Sequence, residues 1–343
     1  MKILIAILIF SILVLFHEFG HFITAKKLGI KVNEFWLGMG PTIFSFVKGE
    51  TKYCLKAIWI GGACVMEDEE NAQVNDSRAF NSAPRWKRAL VVAAGPAFNM
   101  ILAYIFGLIV ILMIGVYKPT VGQVMANYPA ERAGISEGDE ILKLNGYRIH
   151  FFNEISVYNF LHPGEEIKVT YLHDGKRNTT TIIPQLDESG RYLLGISGGT
   201  EYTKLNIGEA LLYGAYEVKY QIYTTIQSLG LLFGGRVSPA EVSGPVGIVN
   251  FVGDVYEESS QDGVFYVLVN MFNIITMLSA NLGLMNLLPI SALDGGKLLI
   301  YLFESIFRKD LSEKLAVYIN AAGFVALMLL MIFATASDIM KLF

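Results

Sequence analysis

Four long apolar runs constrain this chain more than any other feature: about 3–25, 89–117, 264–288 and 315–336. Each is near the roughly 20 residues an α-helix needs to cross a bilayer. In hydrocarbon a backbone must satisfy its own N–H and C=O groups, so such runs can only be helical. Composition agrees, because 53% of the 343 residues are hydrophobic and only 17% are charged, against about a quarter in soluble domains. The reading is a polytopic membrane protein. A net charge of −4 with no basic block excludes nucleic acid as an expected partner. Cys54 and Cys64 are too few for a disulfide framework and read as two reduced thiols. The first run is read as a retained span rather than a cleaved signal peptide. It ends in His17, Glu18, His21 and then Thr24-Ala25-Lys26-Lys27, with no small-residue cleavage site.

Basic residues set the expected orientation. Ten Lys or Arg fall between 26 and 88, and four more between 297 and 314. These two stretches are assigned to the cytoplasm. The 118–262 stretch carries 11 basic and 18 acidic residues. It is expected outside the cytoplasm, together with both chain ends.

The spans divide the chain. Residues 1–25 form the first transmembrane helix. Residues 26–66 follow as short runs rich in aromatic and β-branched residues, with turn signals at Gly38-Met39-Gly40-Pro41 and Lys48-Gly49-Glu50. They are too apolar for an ordinary cytosolic loop and read as a β-hairpin or small sheet dipping into the membrane, the alternative being a small soluble cytosolic sheet. Residues 67–88 are a polar cytoplasmic linker and 89–117 the second helix. That helix carries Gly95, Pro96 and Asn99 in its first turns. Pro96 should loosen it, and Asn99 either bonds a neighbouring helix or stands near a site. Residues 118–186 alternate strand, turn and helix signals, ending in a hairpin at Asp174-Gly175. Residues 187–263 hold an amphipathic helix, near 203–236, and an extracytoplasmic connector; that helix lies on the membrane, packs on the core or, in a third alternative, crosses the membrane and reverses the last two spans. Residues 264–296 form the third helix and its extension, 297–314 a cytoplasmic loop, and 315–343 the fourth helix and the C-terminus.

The chemistry starts at "HEFGH". On a helix, residues four apart share a face, so His17 and His21 can reach one zinc ion. Glu18, offset by about 100°, can take a proton from water and pass it to a leaving amine. Ionisable groups clustered in an apolar span are costly and usually functional. A catalytic zinc needs a third protein ligand and one open position. The other histidines, His150, His162 and His173, lie in the 118–186 module. A carboxylate is therefore the better candidate, and Asp294 is the best placed, at the same expected depth as His17 and His21. The third segment also carries Asn281 and Asn286, with Pro289 at its end. Pro289 should break that helix, and irregular backbone is tolerated where it lines a watered cavity. Asn281 and Asn286 can hold a substrate backbone or an oxyanion; they can equally join helices.

Taken together, H-E-x-x-H (17–21), G-P-x-x-N (95–99), S-G-P-V-G-I (243–248) and N-x-x-P-x-x-x-x-D-G (286–295) resemble the site-2 protease family of intramembrane zinc metalloproteases. The likeness covers nearly the whole chain and is closest to the bacterial sigma-factor-regulating branch with PDZ modules. The A-G-x-x-x-G-D-x-I stretch at 133–141 and the order of elements around it resemble a bacterial PDZ domain. The resemblance implies that His17, His21 and Asp294 bind Zn2+ and that Glu18 is the general base. It implies that Asn281, Asn286 and Pro289 shape the site and bind substrate. It implies an enzyme of the bacterial inner membrane, with its site near the cytoplasmic face. The substrates implied are single-pass membrane proteins, such as anti-sigma factors or remnant signal peptides already trimmed once. Here Lys297 stands after Asp294-Gly295-Gly296 where the branch often has histidine, and Ala63-Cys64 replaces a more usual tyrosine-valine.

The expected fold is a polytopic α-helical membrane protein of about four transmembrane helices. It carries a membrane-associated β-region and an inserted extracytoplasmic PDZ domain, and a monomer is expected. The competing reading is a membrane scaffold or quality-control binder with an inactive metal site. An intact Glu18 argues against it, since a scaffold needs no general base. An ion transporter fits less well, because it has no use for the outward module.

Overall fold

The computed structural model describes residues 1–67, 76–199, 201–235, 243–308 and 312–341. Outside them lie 68–75 of the expected linker, 200 and 236–242 of the expected connector, 309–311 of the expected loop and 342–343 of the last segment. In chain order the elements are α1 (Lys2–Lys27), β1 (Val32–Lys48), β2 (Thr51–Met66), α2 (Arg85–Ile114), β3 (Val121–Val124), α3 (Pro129–Arg132), β4 (Glu140–Leu144), β5 (Tyr147–Arg148) and α4 (Phe152–Leu161). There follow β6 (Ile167–His173), β7 (Lys176–Ile182), β8 (Gln185–Leu186), β9 (Tyr192–Leu193), β10 (Ile196–Gly198), α5 (Ile207–Phe233), α6 (Pro245–Asp262), α7 (Val264–Asn286), α8 (Asp294–Phe307) and α9 (Glu313–Met340). They form two compact units, Met1–Phe106 with Ser228–Phe343, and Gly107–Gln227.

Among the described residues, four helices are long and apolar enough to cross a membrane: α1, α2, α7 and, in α9, Val317–Met340. In the first unit, Ala6, Ile9 and Leu13 of α1 pack with Leu102 of α2, Val252 of α6 and Met271, Ile274 and Ile275 of α7. Large side chains such as Leu4, Leu8, Leu329 and Phe333 point outward, as they can where lipid is the solvent. Small residues such as Ala6, which is fully buried, let the helices approach closely.

Helix α6 was not expected as a separate element of the 187–263 connector. It opens at Pro245, a residue favoured at a first helical position because it lacks the N–H that goes unpaired there. The carboxylate of Asp338 on α9, itself buried, accepts the Gly247 N–H at 2.7 Å. The "SGPVGI" stretch is thereby tied to the last helix.

The 26–66 region pairs β1 with β2 in an unusual register, antiparallel where 34–37 meet 62–65 and parallel where they meet 52–55. Residues 34–37 of β1 pair with 62–65 of β2 on one side and with 52–55 on the other. Residues 44–48 pair with the same stretch from its far side. Each strand therefore bends back, and two strands make a four-segment sheet ordered 61–66, 32–39, 51–58, 42–48. The bends fall at Gly38 and Gly61, both with φ above +80°, a region other residues avoid. Segments 61–66 and 42–48 are the outer edges. Neither cysteine is in a disulfide, and both are buried.

Helix α7 ends at Asn286, three residues before Pro289. A turn follows, with Leu288 N–H donating to Met285 O and Ile290 N–H to Leu288 O. The third span thus stops just short of Pro289, close to the end of the 264–288 apolar run and where the proline is expected to break it. Helix α8 occupies 294–307, most of the stretch expected as a cytoplasmic loop. The reason is an apolar face in "DGGKLLIYLFESIF": Leu298 and Tyr301 pack with Phe80, Val91 and Val92. Arg88 stacks over the Tyr301 ring at 5.0 Å, and Arg85 lies 3.8 Å from the buried Glu304 carboxylate. Contacts made far away in sequence stabilise a helix where the local charge pattern suggests a loop.

In the second unit a four-stranded antiparallel sheet runs β5-β4-β6-β7, and β10 pairs with β3. The β6–β7 hairpin turns at Asp174-Gly175, both with positive φ, the primed-turn geometry that matches strand twist. Ile141, Leu144, Ile167, Val169 and Ile155 form the core beneath α4, each fully buried aliphatic contributing about 1.5–3 kcal/mol. Helix α5 packs its first half on this unit. Tyr216 stacks on His150 at 3.7 Å, and Tyr223 stacks on Tyr147 at 4.4 Å. The helix therefore has a protein surface to lie on, one of the alternatives its pattern leaves open.

Candidate active site

The site begins on α1. His17 and His21 point the same way, with their Nε2 atoms 3.2 Å apart. Asp294, in the first turn of α8, brings Oδ2 to 3.2 Å from His17 Nε2 and 3.4 Å from His21 Nε2. The turn after α7 thus returns the chain to residues more than 270 positions earlier.

These three atoms fit a zinc ion. Bonds of about 2.0–2.1 Å in a tetrahedral site put neighbouring ligand atoms about 3.3 Å apart, the spacing seen here. Asp294 Oδ2 is buried, and no hydrogen bond satisfies it. Two imidazole nitrogens and one carboxylate oxygen are the donor types zinc takes, and three protein ligands leave a fourth position for reaction. Among the described residues this is the one His, Cys, Asp or Glu group whose atoms converge in this way.

Helix α2 closes the back of the site. A Cβ on Gly95 would stand 2.4 Å from His21 Nε2 and 2.7 Å from His17 Cε1. Only glycine lets the α2 backbone approach the two rings this closely. The Val91 carbonyl lies 2.8 Å from His21 Nδ1. It can only accept, so His21 carries its proton on Nδ1 and presents a bare Nε2. Asn99, fully buried, lies 3.2 Å from His17 Nδ1 through its amide nitrogen. The Asn286 amide nitrogen is 3.5 Å from the same ring atom.

Glu18 faces the β-sheet. Its Oε2 accepts the Cys64 N–H at 3.0 Å. Nearer the start of α1, the Ser11 hydroxyl donates to the Trp59 carbonyl. The outer segment 61–66 therefore runs along α1 past the carboxylate, with Cys64 presenting its N–H to the site.

His17, Glu18, His21, Asp294 and Asn286 gather in one place. Pro289 sits in the turn that joins Asn286 to Asp294. Asn281 lies on α7 more than one turn before Asn286. Reading the residues one by one did not single out Gly95, the Val91 carbonyl or the Cys64 N–H. The last two are backbone groups, which no residue type announces. In sequence Gly95 reads as a small residue in a helix and as the glycine of the G-P-x-x-N pattern, neither of which places it against the two rings.

Such a centre defines a metal-dependent hydrolase built into a helical membrane protein. The model of peptidase family M50 matches residues 5–330, and the chain belongs to that family. It is 40% identical to a Clostridium acetobutylicum protein named as a zinc metalloprotease, over 98% of this chain and 97% of the relative. It is 34% identical to a similarly named protein of Clostridium perfringens, over 99% and 98%. It is 30% identical to the regulator of sigma-W protease RasP of Bacillus subtilis, over 98% of each chain. The protein is a zinc metalloprotease of the site-2 type, and its cofactor is Zn2+.

Proposed function

We propose that this enzyme hydrolyses a peptide bond within or beside the transmembrane segment of single-pass membrane proteins. One observation carries the proposal. The three converging donors and Glu18 lie among apolar spanning helices, where a substrate's own span can reach them. In this reading His17, His21 and Asp294 hold the zinc. When bound, the ion lowers the pKa of water to about 7 and polarises the scissile carbonyl. Glu18 takes the proton of the attacking water on its carboxylate and returns it to the leaving amine. Asn286, beside His17, donates to the developing oxyanion. Asn281 and the Pro289 turn shape the cleft that receives the substrate backbone.

A helical substrate hides its peptide bonds in i→i+4 hydrogen bonds and must unwind before cleavage. The outer segment 61–66 offers an edge where the unwound strand can add. The concentration of Lys and Arg in 26–88 and 297–314 supports a cytoplasmic position for the site. The element order and sheet of 118–186 support a PDZ domain on the opposite side, which receives a peptide or screens substrate ectodomains. The name of the Bacillus subtilis relative supports anti-sigma factors as substrates. Remnant signal peptides rest on the family resemblance alone, as does a monomeric enzyme in a bacterial inner membrane.

Glu18→Gln tests the central claim. The purified variant should keep its zinc and lose cleavage of a single-pass substrate by about 100-fold or more. Cleavage at the wild-type rate would rule Glu18 out as the base, whereas absence of cleavage by the unmutated enzyme would favour the scaffold reading of the site.

A further inference from the structure

A histidine gives a lone pair from Nε2 only when its proton sits on Nδ1, and an acceptor at Nδ1 secures that state. For His21 the Val91 carbonyl supplies the acceptor, at 2.8 Å. Among the described residues, no carbonyl stands at this place for His17. The groups at its Nδ1 are the amides of Asn99, at 3.2 Å, and Asn286, at 3.5 Å. A side-chain amide reads equally well turned by half a rotation, and its hydrogen bonds decide which way it lies. With nitrogen toward His17, the Asn99 Oδ1 is buried and has no donor. Turned over, that oxygen meets the ring nitrogen.

We propose that Asn99 is the positioning residue for His17. Its amide oxygen accepts the Nδ1 proton and leaves Nε2 bare toward Asp294 and zinc. The proposal rests on the reading of His17, His21 and Asp294 as the zinc ligands.

The surroundings of Asn99 suit this task. It is fully buried beside the ring. Its backbone carbonyl accepts the buried Ser279 hydroxyl at 2.7 Å, which pins α2 to α7 at this residue. Val91 and Asn99 lie eight residues apart on α2, with Gly95 midway against both rings. One face of α2 thus supplies an acceptor to each histidine and room for both. Asn286 is the weaker candidate, being farther from the ring and only half-buried.

The test is zinc affinity, measured on the purified full-length protein by competition with a chromophoric chelator. Asn99→Leu, with a similar shape and no acceptor, should bind zinc about 10–100-fold more weakly. Asn99→Asp, which keeps an acceptor oxygen, should recover most of that loss. Asn286→Leu should stay near wild type. Wild-type affinity in Asn99→Leu overturns the proposal, as does equal loss in Asn99→Leu and Asn99→Asp. Loss confined to Asn286→Leu assigns the role to Asn286 instead. A measurement on the unmutated enzyme avoids any folding defect: 15N spectra of the histidine-labelled, zinc-loaded protein, with His17 assigned by its loss in His17→Ala. A protonated Nδ1 on His17 is expected, and a bare one refutes the proposal. Wild-type zinc affinity in both His17→Ala and His21→Ala would instead overturn the ligand assignment beneath it.

Discussion

Gly95 sets the tightest tolerance at the site. Its added Cβ would stand 2.4 Å from a ring nitrogen, closer than non-bonded atoms approach. The helix must retreat or the rings must turn, and either spreads the three donors. Gly95→Ala should therefore weaken zinc binding by at least about 10-fold while leaving the second unit folded. Metal content after purification, beside circular dichroism, checks this. A variant with full zinc content would mean that α1 and α2 separate without disturbing the rings. His17, Glu18 and His21 were legible in sequence because four-residue spacing on a helix is a local rule. Asp294 was legible only as the best candidate carboxylate. Its approach to within 3.2 Å of His17 depends on where the turn after Asn286 sends the chain. Asn99 stood between two readings, since a buried amide bonding a helix and one serving a ring look alike in sequence.

At the scale of elements, the small sheet was expected from its aromatic and β-branched runs, but its doubling was not. One stretch, 34–37, pairs on both sides, and strand propensity says nothing about which partners a strand finds. The doubled sheet brings segment 61–66 beside Glu18, and a prediction follows from that edge. Proline has no N–H, so Cys64→Pro removes the group that meets the carboxylate. If an unwound substrate adds to this edge, cleavage should fall about tenfold or more, the worth of one charged-group hydrogen bond. Zinc content should not change. Proline placed along the opposite outer segment, 42–48, should have little effect. Similar losses on the two edges would count against the clamp. Helix α8 was missed for the converse reason. Its charged flanks suggested a loop, while its apolar face found partners on α2 and the 80–92 region.

At the scale of the molecule, the chain makes two compact units, and the second is an insertion between spans of the first. If that insertion screens substrates by the size of their outer domains, deleting 118–186 should let the enzyme cut untrimmed proteins. The comparison is one substrate with and without its ectodomain, cleaved by full-length and deleted enzyme. An active deletion that still demands prior trimming would show that selection lies elsewhere. The four spans, the apolar cluster around "HEFGH" and the alternating strands of the insertion follow from sequence alone. Each depends on periodicity or on the energy of moving local groups out of water, and those terms are nearly independent of the rest of the chain. The closing of Asp294 on two histidines, the Cys64 N–H at Glu18 and the Val91 carbonyl and Asn99 amide that α2 turns toward the rings are different. They are contacts between segments distant in sequence, and only packing decides which distant segments meet.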